Sequence, residues 1–126
     1  MVNIILLTLL FYFIQFPIPA LLSLKNVPLS YFPSNRDKEV NFSVLSGRGQ
    51  RAINNLKESL LIFIPLALLS IIQEIDLTLA ATIWLVLRII YAITYYMGVS
   101  HVRSIVWFIS IFTLIDMAIR IFKHSI

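Results

Sequence analysis

The sequence predicts an all-α integral membrane protein, an up-down four-helix bundle, and three observations carry that prediction. Of its 126 residues, 60% are hydrophobic and 13% charged, with a mean hydropathy of +0.92. A soluble domain of this size needs far more polar surface to cover itself. Four stretches have the length and apolar character that a bilayer core about 30 Å thick asks of a helix. The connections between the second and third, and the third and fourth, are so short that these helices must be antiparallel neighbours. The length allows a single domain, residues 1–126, with little room beyond the bundle and its loops.

The first span covers about 2–24. Its opening, MVNIILLTLLFYFIQF, has no basic leading region and no small-residue cleavage site, so it reads as a retained span and not a cleaved signal. Pro17 and Pro19, in FPIPALL, should kink it or end its regular part early. Residues 25–46 are polar, with Pro28, Pro33 and the charge cluster NRDKE, and read as a long loop. The second helix is expected over about 47–73. Its uninterrupted apolar part, Leu60 to Ile72, is too short to span alone, so the polar turns RAINNLKES must sit partly inside the membrane. After the turn QEID the third helix covers about 77–97, and GVSH leads into a fourth over about 102–122. No internal repeat or low-complexity tract interrupts this order.

Lys and Arg are unevenly placed. The side with the first and third connections carries Lys25, Arg36, Lys38, Arg48, Arg51, Lys57 and Arg103; the opposite side has Arg120 and Lys123, with Glu74 and Asp76 in its turn. The positive-inside rule then puts loop 25–46 in the cytoplasm and both termini on the non-cytoplasmic side. The net charge of +4 reports this orientation and not nucleic-acid binding, because the basic residues form no stripe interleaved with exposed aromatics. Trp84 and Trp107 suit interface anchors or packing equally. The chain has no cysteine, which excludes disulfides, thiolate metal sites and a cysteine nucleophile; no metal is expected, and any thiol chemistry needs a thiol brought by a second molecule.

Arg88 is the residue that an ordinary span would not contain. It lies about 15 Å from the GVSH turn at 1.5 Å per residue, near mid-bilayer, where an arginine costs about 2.5–3.5 kcal/mol to insert. It must face protein or water. Tyr91 and Tyr95 share its helix face at i+3 and i+7. In RAINNLKE, Arg51, Asn55 and Glu58 likewise share one face, with Asn54 and Lys57 on a flank. The simplest packing sets the two stripes against each other, with Glu58 as the counter-ion of Arg88. Mutual satisfaction that fixes helix register is the bland reading of such a set; so many polar residues, rich in arginine and tyrosine, point instead to a polar ligand pocket. Arg103 opens the fourth helix, where its charge opposes the helix dipole. That weighs against a purely structural role, the alternative being a headgroup contact or topology signal. His101 reads as a turn residue, Asp116 and Arg120 as an i,i+4 ion pair, and Met1, Met97 and Met117 as packing.

At this point the chain resembles a known family, the membrane-associated proteins in eicosanoid and glutathione metabolism (MAPEG). The resemblance rests on RAINNLKE, which fits the family pattern R-A-x-x-N-x-x-E, and on R-x-x-Y-x-x-x-Y followed by an arginine opening helix four, here Arg88, Tyr91, Tyr95 and Arg103. With the four spans and the long first loop it covers essentially the whole chain. It implies a homotrimer with glutathione in polar clefts between subunits and no metal. Arg51, Asn55, Glu58, Arg88, Tyr91 and Tyr95 match positions lining the glutathione site, and Arg103 matches the arginine implicated in stabilising the thiolate. The chemistry suits the ligand: two carboxylates and one ammonium call for several cations, an acceptor such as Glu58 and hydroxyl donors, and a guanidinium beside the sulfur favours the nucleophilic thiolate. A lipophilic second substrate would enter sideways from the bilayer.

The family implies a membrane-bound thiol-dependent transferase or peroxidase acting on lipophilic electrophiles. It also includes a member that binds lipid without catalysis, so a lipid-binding or scaffold protein of the same fold is the alternative. Two departures leave the second substrate open: bulky Tyr96 follows Tyr95, and GVSHVR does not closely match the specialised eicosanoid enzymes. An ion or proton pathway through Arg88 and Glu58 is a weaker third reading, since bundles that transport usually have more spans or internal repeats.

Overall fold

The computed structural model describes residues 1–37 and 40–126. Lys38, one of the cations assigned to the loop side, lies outside the described residues. Among the described residues the chain is helical with no strand: α1 (Val2–Gln15), α2 (Ile18–Leu22), a 3-10 turn (Leu29–Tyr31), α3 (Val44–Ile72), α4 (Thr78–Met97) and α5 (Ser100–Ser125). Taking α1 and α2 as one interrupted segment, four helices are long and apolar enough to cross a membrane. They form the expected four-helix bundle.

The break between α1 and α2 follows from the two prolines. Neither Pro17 nor Pro19 has an N–H, so the carbonyls of Phe13 and Gln15 lose their i+4 donors, and the regular helix stops at Gln15. Beyond the polar loop, α3 starts at Val44, three residues ahead of Gly47. Ser43 caps it: its Oγ accepts from Ser46 N at 3.1 Å. The same turn is tied to α2, with Ser46 Oγ donating to Pro19 O at 2.7 Å and Ser43 Oγ to Leu22 O at 3.2 Å. At 29 residues, α3 is about 43 Å long. It outruns the hydrocarbon core, and its first, polar turns stand at the loop side.

The turn after α3 passes through Glu74 in a left-handed conformation, and Asp76 Oδ1 accepts from Thr78 N at 3.0 Å as α4 begins. That bond holds the Asp76 carboxyl below its ordinary value. At the other end α4 closes on Gly98, whose φ of 76° suits a residue without Cβ. Arg48 Nη1 donates to Tyr96 O at 3.3 Å, placing a cation at the C-terminus of α4. The turn is tight enough for α5 to start at Ser100, two residues ahead of Val102, and α4 with α5 make the most extensive helix pairing of the bundle.

The core sits toward the turn between α3 and α4. Phe63 and Trp84 are fully buried and stack face to face, with centroids 4.0 Å apart and planes 5° off parallel. Ala67, Leu77, Ala81 and Met117 close around them. Trp84 is therefore a packing residue and not an interface anchor. Met117 and the half-buried Met1 pack on this core, whereas Met97, also read as packing, is 68% exposed in the single chain. Asp116 and Arg120 form the expected ion pair at 2.9 Å. His101 stands exposed in the first turn of α5.

Candidate functional site

The polar residues on α3, α4 and the start of α5 assemble in two tiers. In the deeper tier Arg88 is 2% exposed. Its Nη2 donates to Asn55 Oδ1 on α3, its Nη1 to Ser110 Oγ on α5 at 3.4 Å, and its guanidinium carbon lies 4.6 Å from the centroid of the Tyr91 ring. One side chain thus joins three helices. Each contact compensates part of the cost of holding a cation at this depth, although the Nε–H has no partner among the described residues.

The shallower tier is one turn nearer the loop side. Tyr95 packs edge-on against Tyr91, with centroids 5.5 Å apart and planes at 69°. The Arg103 guanidinium lies 4.4 Å from the Tyr95 ring centroid, and that of Arg51 lies 5.9 Å away. Both are within cation–π range. Neither makes an ion pair among the described residues, so two positive charges converge on one phenol ring with no carboxylate to neutralise them. Arg51 is exposed and Arg103 half-buried, so an anion can approach this tier from outside.

The two stripes therefore meet at Asn55 and Arg51, but the expected ion pair between Glu58 and Arg88 does not form. Glu58 is exposed and unpaired among the described residues. Helix geometry explains why: three residues beyond Asn55, Glu58 is turned about 60° round α3 from it, onto the exposed face that it shares with Arg51. Asn55, half-buried at the helix contact, takes the guanidinium instead, and a neutral amide avoids burying a carboxylate. Nor does Arg88 line an open pocket in the single chain; it braces the tier above it.

Ser110 was not anticipated as a partner of Arg88. A signal was available, because Ser110 follows Arg103 by seven residues and shares the buried stripe of Val106, Leu114 and Met117 on α5. Arg48, assigned to topology alone, also has a local role beside the site, as described above. Tyr96, which departs from the family pattern, fits because Gly49 faces it: a Cβ there would stand 2.6 Å from Tyr96 Oη. This close contact seats the first turns of α3 against the end of α4, which sets Arg51 beside Tyr95.

A membrane bundle with a buried arginine brace beneath an Arg–Tyr–Arg cluster is the class of protein that these elements define. The family profile described as the MAPEG family matches residues 1–123, and the chain belongs to that family. No curated protein matches it, and no solved structure does.

Proposed function

We propose that the chain is a membrane-bound, glutathione-dependent transferase or peroxidase acting on lipophilic electrophiles. The observation that carries this reading is the convergence of Arg51 and Arg103 on Tyr95 with no ion pair to either among the described residues. In the proposed complex Arg51 takes a glutathione carboxylate, Glu58 the ammonium, and Tyr91 and Tyr95 offer hydroxyls. Asn55 and Arg88 hold Tyr91 and Tyr95 in place from below. Arg103 stands beside the sulfur and lowers the free energy of the thiolate, so that the thiol gives its proton to solvent. The sulfur lone pair then attacks the electrophilic carbon, a carbon–sulfur bond forms, and the leaving group departs with its electron pair.

Assembly into a homotrimer belongs to the same proposal. Arg51 and Glu58 are both exposed on the single chain, on the face of α3 turned away from its own core, where a neighbouring subunit could complete the site. The whole chain acts as one membrane domain, with loop 25–46 in the cytoplasm and both termini on the far side, supported by the loop-side excess of Lys and Arg. Since the chain has no cysteine, single introduced cysteines and an impermeant maleimide report sidedness cleanly.

One observation favours the second reading, a non-catalytic lipid-binding or scaffold protein: Arg88 is sealed from any ligand in the single chain. Two measurements separate them. Glutathione added to the purified protein should raise ultraviolet difference absorbance at the thiolate band. Arg103→Ala should lower turnover about a hundredfold, the scale of losing one charge-stabilising donor, with thiol affinity nearly unchanged. Wild-type protein that shows neither a thiolate band nor turnover of several electrophiles would leave the non-catalytic reading standing.

A further inference from the structure

Beside the Arg–Tyr–Arg cluster, on the loop side, lies a cleft of about 850 Å³ that shares only Arg51 with the residues given a role in the proposed function. Its walls come from the α1–α2 break, the first loop and the opening turns of α3. Phe16, Tyr31, Phe32 and Phe42 make it aromatic, and Arg36 and Arg51 border it. The loop wall is a built structure. Tyr31 packs edge-on against both Phe32 (5.9 Å) and Phe42 (6.1 Å). Ser34 Oγ donates to Tyr31 O at 2.5 Å and accepts from Arg36 N at 3.2 Å. Arg36 has a left-handed backbone, φ 59°, and this turn folds its guanidinium back so that Nη2 donates to Phe32 O at 3.3 Å. Its remaining N–H groups are uncommitted among the described residues, as are all those of Arg51. Asp37 borders the neighbouring smaller cavity and forms no ion pair with either.

An aromatic cleft with two uncommitted guanidiniums fits an amphiphile with a compact anionic head. Its height selects the kind. Lys25, Arg36, Arg48 and Arg51 gather at this end of the bundle, where a headgroup layer would lie, and Phe13, Ile14 and Phe16 stand exposed beside it for acyl chains. A phosphodiester can accept from two guanidiniums at once. We propose that this cleft binds the headgroup of an anionic membrane phospholipid, its phosphate between Arg36 and Arg51 and its glycerol and first chain carbons against Phe16, Phe32 and Phe42. The proposal does not rest on the thiol reading. Arg51 is common to both sites, so the decisive variant is at Arg36, which takes no part in the Arg–Tyr–Arg cluster.

The test is native mass spectrometry of the purified full-length protein titrated separately with dioleoylphosphatidylglycerol and dioleoylphosphatidylcholine. One phosphatidylglycerol per chain should be retained in preference to phosphatidylcholine. Arg36→Ala should weaken that retention about fivefold, the scale of one arginine near an anionic surface. Lys25→Ala, an exposed cation outside the cleft, should leave it unchanged. Equal retention of the two lipids, or equal effects of Arg36→Ala and Lys25→Ala, overturns the proposal. Displacement of the lipid by millimolar inorganic phosphate overturns it too, by making a free anion the ligand. Glutathione difference absorbance of Arg36→Ala should match wild type, so a failure here leaves the thiol reading intact, and a failure there leaves this one.

Discussion

At the end of the bundle where α3 turns into α4, large apolar rings lie against each other, and the Trp84 indole N–H and Gln73 Oε1 are buried there without a partner among the described residues. At the loop end, cations and phenols share the helix contacts, and several of them remain exposed. Both ends belong to the same helices, so composition alone does not separate them. The difference lies in what each contact excludes. Phe63 on Trp84 leaves no room for another molecule, while Arg51 and Arg103 around Tyr95 have no ion pair among the described residues. The dry end fixes how α3 and α4 are spaced, and the polar end uses that spacing to hold side chains whose charges would otherwise drive them apart.

The largest expected effect therefore falls at the dry end. Trp84→Ala removes the buried partner of Phe63 and should destabilise the protein by about 3–5 kcal/mol. A fall in Tm in detergent measures it. If the two ends are coupled as described, the thiolate signal at the polar end should weaken with it below the new Tm midpoint. An unchanged Tm would mean that the bundle is held elsewhere. Next is Gly49→Ala, which drives a methyl into Tyr96 and should cost about 1–3 kcal/mol through overpacking. Tyr96→Phe removes the atom nearest that methyl, so the double variant should recover part of the loss; additive losses would show that the two residues are not in contact.

Arg88→Met sharpens the comparison from the other side. It removes a cation from mid-bilayer, which eases insertion, and also removes the bridge among Asn55, Tyr91 and Ser110. Expression and Tm should hold or rise, while glutathione affinity falls about tenfold, or ~1.4 kcal/mol, because Tyr91 and Tyr95 lose their brace. A lowered Tm with glutathione affinity retained would assign Arg88 to the dry end's work instead.

The four helices, their order and their antiparallel turns were legible because hydropathy and loop length determine them. The break at Pro17 and Pro19 was legible for the same kind of reason, since a missing N–H acts locally. The site was legible as two stripes, and both stripes do meet. What the stripes could not give is rotation: whether Asn55 or Glu58 faces Arg88 depends on about 60° of turn about the α3 axis, which tertiary packing decides. Ser110 was missed because a lone serine carries little signal until the buried face of α5 is known. The seating of Tyr96 on Gly49 required the distance between two helices that no local pattern encodes.

The smallest effect probes the turn that closes the dry end. Asp76 is exposed, and its carboxylate accepts the Thr78 N–H that starts α4, which holds its pKa below the ordinary 3.8. A carboxyl depressed in the folded protein adds stability at pH values above its unfolded value, and that stability is lost as pH falls through the folded value. Tm should therefore be flat from neutral pH down to about 4 and dip below it, by more in wild type than in Asp76→Asn, whose amide oxygen still accepts the bond but does not titrate. Because the group is exposed, salt should shrink the difference. Should the two proteins lose Tm in parallel below pH 4, the Asp76–Thr78 bond does not carry the acid dependence.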